Sequence, residues 1–375
     1  MAEYLTNNTD LKKVADAIRA KGGTSAALAY PDEYVSAINA ITTGIELKIV
    51  VSVTTGATVT ATKGSDTVIG TSVNGVCTLV VPEAGTWSVN ATLNGKTSNT
   101  VSVSVVDSYA LMLYFASYTL NDNEWSVIKS ASDAGQGANY WSIGDRKAVT
   151  LNGTVGKLSL SNVTTYAFII GFNHNASVEG TNRIHFQLAK TALTGGTDVC
   201  LCDSSYNSNV STIGYFSMNR ERSNSGGWER SQMRTNICGT SLSSYSGTII
   251  AVIPAALRAV LKSVTKYTDN TGIQQPVREV TATTDYFFLL SEYEVFGSTS
   301  YANSNERNKQ AQYAYYSAGN SKIKYKHNGT STAADWWLRS PNATNSDFFV
   351  YVATDGTDTY WYANRSLGFA PGFCV

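Results

Sequence analysis

The residues that could perform catalysis are few, and their spacing matches no catalytic pattern. His174, His185 and His327 are the three histidines, and none lies in an arrangement that binds a catalytic metal. Ser126 and Lys129 form one Ser-x-x-Lys match, but the Ser-Asp-Asn motif that accompanies such a serine nucleophile is missing. We therefore expect no enzymatic activity and no catalytic residue, and we interpret His174 and His185 as structural.

Residues that could bind a metal are also sparse. Asp355 and Asp358 lie in the sequence Thr-Asp-Gly-Thr-Asp-Thr, which is typical of a solvated turn. Calcium bound by these carboxylates is the alternative, because hard cations favour clustered oxygen ligands. The five cysteines match no zinc spacing, and Cys200 and Cys202 would share a strand face without forming a disulfide. We expect buried, reduced thiols and no cofactor, with calcium kept as the alternative.

Aromatic residues near the C-terminus give a stronger signal, and it points to binding. Ten of the 38 residues from Trp336 to Phe373 are aromatic, against 11% of the whole chain. Tyr351 and the run Tyr360-Trp361-Tyr362 flank a polar turn, and at least one side of that run must face away from the core. Exposed aromatic clusters mark binding surfaces. The domain core is expected to contain Trp336, Trp337, Leu338, Phe348, Val350 and Phe369.

Polar residues suited to adaptable hydrogen bonds surround these rings. The predicted ligand-binding residues are Asn342, Asn345, Ser346, Asp347, Tyr351, Thr357, Asp358, Tyr360, Trp361, Tyr362 and Asn364. The motifs on either side, DWWLRSP and LGFAPGFCV, are interpreted as a fixed scaffold around a changeable insert.

The composition of the chain excludes two classes of partner. Only 15% of the 375 residues are charged, and the formal net charge is zero. Such a balance provides no field that attracts nucleic acid or an anionic membrane. The sequence has no secretory signal and no apolar stretch long enough to span a membrane, so we expect no membrane insertion.

Two short helices and a run of strands are predicted in the first third of the chain. The first helix carries Leu11, Val14, Ala17 and Ile18 at helical spacing and ends at Gly22-Gly23. The second begins at Pro31 and carries Tyr34, Val35, Ile38 and Ile41. Helices this short are marginal alone in water, so their apolar faces need a partner.

After a hinge at residues 42–44, short alternating strands up to residue 107 predict an immunoglobulin-like β-sandwich that acts as a passive spacer.

The remaining region, residues 108–375, is predicted to be an irregular α+β domain with long loops. Strands are expected at residues 166–172, 183–188, 286–290 and 348–353. Helices are expected at residues 231–237, 254–267 and 306–316.

Two stretches resemble known families. The segment TDLKKVADAIRAKGGTSAALAYPDEYVSAINAI, residues 9–41, resembles a short N-terminal module of tail proteins from phages that infect Firmicutes. Six motifs within residues 121–375 resemble an uncharacterised phage and surface-protein domain related to the formylglycine-generating-enzyme branch of the C-type lectin fold. These motifs are NEWSVIKSASDAGQGANYWSIGDRKAVTLNG, FIIGFNHNASVEGTNRIHFQLAK, GGWERSQMR, DYFFLLSEYEVFG, DWWLRSP and LGFAPGFCV.

The second resemblance implies a C-type-lectin-like fold but not an activity. Ala370-Pro371-Gly372 stands where many relatives have Arg-Pro-Ala, so no arginine role is carried over. The enzymes of this branch use an active-site cysteine pair, and nothing in the sequence indicates that Cys238 and Cys374 meet at a groove. The branch also includes variable proteins of diversity-generating retroelements, whose mutagenesis over-produces Asn, Tyr, Ser, Asp and Thr. Residues 342–365 have this composition and are the candidate hypervariable insert.

Together these features predict a multidomain protein with three parts. Residues 1–44 form a helical attachment or oligomerisation module, residues 45–107 an immunoglobulin-like β-sandwich, and residues 108–375 an α+β C-type-lectin-like head. The expected function is that of a phage tail receptor-binding protein that adheres to a bacterial-surface glycan or protein. It would be made in the bacterial cytoplasm and carried in the virion with other tail proteins, as a homo-oligomer, with a trimer favoured by analogy with phage fibres. A glycan-degrading tail enzyme and a purely structural tail or decoration protein are the alternatives.

Overall fold

Two helices at the start of the chain pack against each other. In the computed structural model, which describes residues 8–20, 27–29, 31–39, 46–271 and 279–375, helix α1 spans Asn8–Ala20 and helix α2 spans Asp32–Asn39. The residues buried in their mutual contact are Ala15, Ile18, Tyr34 and Ala37. The two predicted helices are therefore confirmed.

The predicted apolar stripes of these helices are only partly used in that contact. Val14, Val35 and Ile38 remain exposed, and so does Ala17. Gly22-Gly23, Ile41 and the predicted hinge at residues 42–44 lie outside the described residues.

Eight strands between residues 48 and 112 form two sheets. Their bounds are β1 Lys48–Ser52, β2 Thr58–Lys63, β3 Asp66–Thr71, β4 Val76–Val80, β5 Gly85–Leu93, β6 Lys96–Thr97, β7 Val101–Val105 and β8 Ser108–Met112. One sheet has the order β4-β1-β8, and the other has the order β3-β2-β5-β6 with β7 also paired to β5. Alternate residues are buried, as Ile49 and Val51 show in β1, and they surround the fully buried Trp87.

The chain divides into two compact units, residues 1–115 and 116–375. Strand β8 belongs to the first unit because its backbone pairs in parallel with β1, from Lys48 opposite Ser108 to Ser52 opposite Met112. The sequence predicts that the sandwich ends at residue 107, whereas the paired strand β8 extends this two-sheet region to residue 112.

The second unit contains short helices and many strands. Its helices are α3 Trp125–Asp133, α4 Gly137–Tyr140, α5 Ala176–Glu179, α6 Gly227–Arg230, α7 Ile249–Val252, α8 Ala255–Arg258, α9 Glu292–Phe296 and α10 Ala314–Ser317, with 3-10 turns at Leu120–Asp122 and Ser304–Asn308 and a π-helix at Met233–Cys238. Its strands are β9 Arg146–Val155, β10 Leu158–Phe172, β11 Ile184–Lys190, β12 Val199–Cys200, β13 Val264–Asp269, β14 Val280–Asp285, β15 Phe287–Phe288, β16 Lys324–Lys326, β17 Gly329–Ala334, β18 Trp336–Pro341, β19 Phe348–Val352, β20 Asp358–Tyr362 and β21 Gly372–Cys374.

A five-stranded sheet of order β15-β21-β11-β10-β9 lies at the centre of this unit. The last strand of the chain, β21, is inserted between β11 and β15, so that Phe373 pairs with both Phe186 and Phe287. Smaller sheets have the orders β12-β16-β17, β13-β14 and β18-β19-β20. The chain is therefore multidomain and rich in β-structure. The longest described helix has 13 residues, and none of the described helices has the length and apolar character needed to cross a membrane.

Several helix and strand predictions are confirmed, and three differ from the structure. The strands expected at residues 166–172, 183–188 and 348–353 lie in β10, β11 and β19, and the helix expected at 231–237 is the π-helix. The helix expected at 254–267 ends at Arg258, because residues 264–269 form β13 and pair along their whole length with β14. The helix expected at 306–316 is divided into a 3-10 turn and α10. The run at 286–290 contributes only the two-residue strand β15.

Candidate ligand-binding site

The aromatic run predicted to bind a ligand forms β20, the edge strand of the β18-β19-β20 sheet. Tyr360 lies opposite Val350 of β19, and Trp361 lies opposite Phe349. Because successive side chains of a strand point to opposite faces of the sheet, Tyr360 and Trp361 lie on different surfaces. Their side chains are 37% and 41% exposed, whereas Phe349 and Val350 on the neighbouring strand are fully buried.

One surface is an aromatic cluster that we call the tyrosine face, formed by Tyr301, Phe348, Tyr360 and Tyr362. The Phe348 ring centroid lies 5.1 Å from that of Tyr360 and 4.9 Å from that of Tyr362. Tyr301 meets Tyr360 edge-on at 5.0 Å, and the Arg222 guanidinium lies 3.8 Å from the Tyr362 ring centroid. Phe348, which was predicted to lie in the core, is instead half-buried at the start of β19, where it packs against Tyr360 and Tyr362.

The other surface contains a small cavity, which we call the Trp361 pocket. Its volume is about 150 Å³, and it is lined by Asn207, Asp335, Tyr351, Trp361, Arg365 and Leu367. Tyr351 and Trp361 were predicted from the sequence, and the structure brings them together. The four other lining residues were not predicted. Asn207, Asp335 and Leu367 lie outside residues 342–365, and Arg365 is the last residue of that segment.

The polar groups of the Trp361 pocket are held by hydrogen bonds to the frame. Arg365 donates from Nε and Nη2 to Oδ1 of Asn207, at 3.2 and 2.8 Å, and its guanidinium lies 5.6 Å from the Trp361 ring centroid. Asp335 Oδ1 accepts the Thr354 amide at 3.0 Å. Burial raises the Asp335 pKa above its usual value, although the positive charge of Arg365 opposes this shift. Burial and the charge of Asp335 raise the pKa of Tyr351 to about 12, so its hydroxyl stays protonated.

The loop that precedes β19 is supported from within, and this corrects the role predicted for Asn342. Asn342 is only 2% exposed, and its Oδ1 accepts the amides of Thr344 and Asn345, both at 2.8 Å. The buried Asn224 donates from Nδ2 to the carbonyls of Asn342, Asn345 and Phe348, at 3.1, 2.9 and 3.0 Å. Asn342 therefore shapes the loop and does not face a ligand, because its polar group is needed to close the turn.

The remaining predicted residues lie around the two surfaces. Asn345 and Thr357 are exposed, whereas Ser346, Asp347 and Asn364 are half-buried. Asn345 Oδ1 accepts the Asp347 amide at 2.9 Å, and Thr357 donates from Oγ1 to Asp355 at 2.7 Å. These short-range bonds hold the loops in shape while leaving other polar groups at the surface.

The two carboxylates considered for calcium do not converge. Asp355 Oδ1 accepts both the amide and the hydroxyl of Thr357. Asp358, at the start of β20, instead faces the carboxyl of the fully buried Glu292. Burial and the neighbouring Asp358 carboxyl raise the Glu292 pKa to about 8, although the Ala302 and Tyr301 amides oppose this shift. Asp355 and Asp358 therefore have different neighbours, and the carboxyl beside Asp358 is one whose raised pKa favours the protonated form, which is a poor cation ligand.

A second polar cluster lies deep in the unit and was not predicted. Ligand atoms of His174, Glu179 and Glu294 lie within 4.8 Å of one another, as metal ligands would. Lys266, however, donates to Glu179 at 2.7 Å and to Glu294 at 3.0 Å. Arg339 also binds Glu294 through two nitrogens, at 2.5 and 2.9 Å. Two fixed cations already neutralise the two carboxylates, so a metal ion would have to displace the Lys266 ammonium.

The protonation of this cluster agrees with a structural ion-pair network. Burial lowers the His174 pKa to about 3 and keeps the ring neutral against the Tyr313 ring, whose centroid lies 3.7 Å away. Burial would raise the Glu294 pKa, but Arg339 and Lys266 outweigh it and hold that pKa well below its usual range. Burial raises the Glu179 pKa to about 7. His174 and His185 are both buried, in accordance with the structural role expected for them.

The five cysteines are all buried free thiols in this structure. Cys374 Sγ lies 3.3 Å from His185 Nδ1, and burial raises its pKa to about 12. Burial and the nearby Asp285 raise the pKa of Cys238 as well. Both thiols are therefore held in the protonated, unreactive form.

The frame behind both surfaces is tightly packed. Trp337 is fully buried, and its Nε1 donates to the carbonyls of Phe216 and Arg365 at 3.0 and 3.2 Å. A Cβ atom on Gly368 would lie 2.3 Å from Cys200 Sγ, so only glycine fits where this segment pairs with Trp336. The predicted scaffold role of the motifs around Trp337 and Gly368 agrees with this packing.

The sequence analysis did not identify the polar residues Asn207, Asp335 and Arg365 that line the Trp361 pocket. Asp335 begins the DWWLRSP motif, where an acid beside two buried tryptophans was a usable signal. Arg365 closes the predicted insert, but Asn207 reaches it through backbone pairing of two distant segments, including the Asn207 amide to the Ser366 carbonyl at 2.7 Å and the bridge between Asn209 and Arg365. No sequence pattern connects residues that far apart.

Comparison with known families covers the part of the chain that contains these surfaces. Residues 203–375 match the family described as Domain of unknown function (DUF6273), which is less than half of the chain. No curated protein matches the chain. All six residues of the Trp361 pocket lie inside the matched segment.

Proposed function

We propose that this protein is a phage tail receptor-binding protein whose C-terminal unit adheres to a ligand on the bacterial surface. The exposure of Tyr360 and Trp361 on an edge strand, backed by fully buried neighbours, is the observation that carries the proposal. Exposed rings on a rigid frame are suited to contact with a partner. The assignment to a phage tail rests on the resemblance of residues 9–41 to the N-terminal module of such proteins.

The finer fold assignments belong to the same proposal. The two-sheet arrangement of β1–β8 around Trp87 supports an immunoglobulin-like spacer. The six ordered motifs, and a C-terminal strand inserted into the central sheet, support a C-type-lectin-like head. The virion location, the tail-protein partners and a homo-oligomeric state follow from the proposed role.

We further propose that residues 342–365 form an insert that a diversity-generating retroelement varies. Its side chains supply both exposed rings of β20, while DWWLRSP before it and LGFAPGFCV after it are mostly buried. Variants of the protein would then differ mainly within this insert. Uniform variation along residues 116–375 would contradict the idea.

Binding to whole cells tests the proposed function. The labelled full-length protein is expected to bind some members of a panel of Firmicute strains. The double variant Tyr360→Ala/Tyr362→Ala should bind about tenfold more weakly or worse, a loss of about 1.4 kcal/mol, with a nearly unchanged melting temperature. Tyr109→Ala is the matched control, because Tyr109 is also an exposed ring, 43% exposed, on the edge strand β8 of the first unit.

Three outcomes would contradict the proposal. Absence of binding to every strain would remove the adhesive role. Unfolding of the double variant, with full binding in the fraction that stays folded, would show that the tyrosine face is core. Release of soluble sugars from purified wall polysaccharide by the wild-type protein would favour the glycan-degrading enzyme instead.

A further inference from the structure

We infer that the Trp361 pocket binds one pyranose ring of a surface glycan, without a bridging metal ion. This inference rests on the proposed receptor-binding function and narrows its ligand from a glycan or a protein to a glycan. Four properties of the pocket support this inference. They are an exposed aromatic ring, an acidic and a basic side chain that form no ion pair with each other, a small volume, and the presence of a single carboxylate in the lining.

The first property is the exposed indole of Trp361. It is one of the few large apolar side chains of the second unit that remain open to solvent, and it forms a wall of a concave site. A pyranose has one face of C–H groups, which packs against an aromatic ring while the hydroxyls point sideways. Apolar walls with a few fixed polar groups are the common composition of small-ligand sites.

The second property is the set of polar groups beside that ring. A sugar hydroxyl both donates and accepts, so a pair of adjacent hydroxyls needs an acceptor and a donor side by side. Asp335 supplies carboxylate oxygens and Arg365 supplies N–H groups. These two described residues form no ion pair with each other, because Arg365 is held by Asn207 and Asp335 by the Thr354 amide. Asn207 keeps its amide NH₂ as a further donor.

The third property is size together with charge. A volume of about 150 Å³ is well below the roughly 300–1,000 Å³ of pockets for drug-sized ligands. It admits a single ring or a chain end, whereas a peptide strand or helix needs a longer groove. One acid and one base face the cavity, so the lining favours an uncharged ring over an anionic one.

The fourth property is the number of oxygen ligands available for a cation. Asp335 is the one carboxylate among the six lining residues. Calcium takes six to eight oxygens and usually needs more than one carboxylate. The pocket would therefore bind the sugar through direct hydrogen bonds and stacking on the Trp361 ring, without a metal ion.

The test uses methyl pyranosides as probes and the full-length protein. Saturation-transfer NMR would be recorded for methyl glycosides of glucose, galactose, mannose, rhamnose, N-acetylglucosamine and N-acetylgalactosamine, with and without EDTA. At least one probe should receive saturation on its ring protons, equally in both conditions. Trp361→Ala should abolish the transfer, and Tyr109→Ala should leave it unchanged.

A second variant keeps the test informative if Trp361→Ala does not fold. Asp335→Asn preserves the shape of the side chain and an oxygen for the Thr354 amide, but it removes the charge. It should weaken binding of the positive probe about tenfold while the melting temperature changes little.

The outcomes separate this inference from the proposed function. No transfer to any probe, or transfer that survives both pocket variants, would overturn the pyranose site even if cell binding still depends on the tyrosine face. Loss of cell binding after protease treatment of the cells, with no transfer, would identify a protein receptor. Transfer that depends on Trp361 without binding to any strain would support the pocket and refute the adhesive role. Loss of transfer with EDTA would overturn the metal-free part.

Discussion

At the scale of single residues, two tryptophans of the C-terminal segment show how surroundings decide a role. Trp337 is fully buried, and its indole N–H is satisfied by two backbone carbonyls. Trp361 is 41% exposed and lines a cavity with charged groups. Both belong to aromatic runs, but Trp337 lies on β18, which is covered, and Trp361 lies on the edge strand β20. The first should therefore matter for folding and the second for binding.

We predict that Trp337→Ala and Phe369→Ala each destabilise the second unit by about 3–5 kcal/mol, as large-to-small core substitutions do. Trp337→Ala also leaves two buried carbonyls without a donor. Urea denaturation of the full-length variants measures the change. Trp361→Ala is the comparison, with an expected loss of roughly 1 kcal/mol or less. Equal losses at Trp337 and Trp361 would show that the two positions do not differ in packing.

A second residue-scale prediction concerns Glu292, whose pKa is raised to about 8. The folded state holds this proton after the unfolded chain has released it at its ordinary value of 4.5. The stability that it contributes is complete below about pH 4.5 and is lost as pH rises toward 8. Glu292→Gln removes this titration but keeps an oxygen for the Ser300 and Tyr301 amides.

Melting temperatures at pH 5 to 9 check this prediction. The fall with rising pH should be smaller in Glu292→Gln than in the wild type. The raised pKa values of Glu179 and Glu306, each about 7, contribute a fall of the same sign to both proteins. The exposed Glu221 provides the control variant Glu221→Gln, which should keep the wild-type slope. Parallel curves for wild type and Glu292→Gln would contradict the raised pKa of Glu292.

At the scale of elements, the helices α1 and α2 satisfy only part of their apolar surface. Ala15, Ile18 and Tyr34 are covered in the contact between the helices, whereas Val35 and Ile38 stay exposed. Isolated helices of 13 and 8 residues are marginal in water, so an apolar partner would stabilise them.

We predict that these helices make the protein oligomeric. Light scattering should give a higher mass per particle for the full-length chain, with a trimer favoured, than for residues 46–375. Val35→Ser/Ile38→Ser in the full-length chain should lower the mass without removing residues. Equal monomeric masses for all three proteins would exclude oligomerisation and leave docking to a different protein as the proposed role of the helices.

At the scale of the whole molecule, the candidate site and the strands β1–β8 belong to different compact units. The tyrosine face and the Trp361 pocket lie in the second unit, and the β-sandwich in the first unit has its own core around Trp87. None of the residues assigned to the candidate site belongs to the β-sandwich.

We predict that the β-sandwich is a passive spacer. Deletion of residues 46–115 in frame should leave the affinity for the positive strain or glycoside unchanged, because every residue assigned to the site lies beyond residue 115. A binding assay with the purified proteins decides the matter. A tenfold loss, about 1.4 kcal/mol, would show that the sandwich contributes to recognition.

The sequence by itself determined the elements whose residues repeat with a local period. Most strands of the sandwich, the helices α1 and α2, and the aromatic run of β20 follow from spacing that any short window of the chain contains. Tertiary structure decided what depends on distant partners. Residues 264–267 end the predicted helix but lie in β13, because β14 satisfies their backbone hydrogen bonds.

Tertiary structure also decided which polar residues are available. Asn342 looks like a surface residue, but loop closure buries it. Asp335, Arg365 and Asn207 form one pocket because backbone hydrogen bonds join the distant segments 207–210 and 364–366. Lys266, Glu179, Glu294 and Arg339 form a buried network only because four separate elements converge. Burial and charge neutralisation are properties of the packed chain, since both depend on which atoms exclude water from a group, and local sequence does not carry that information.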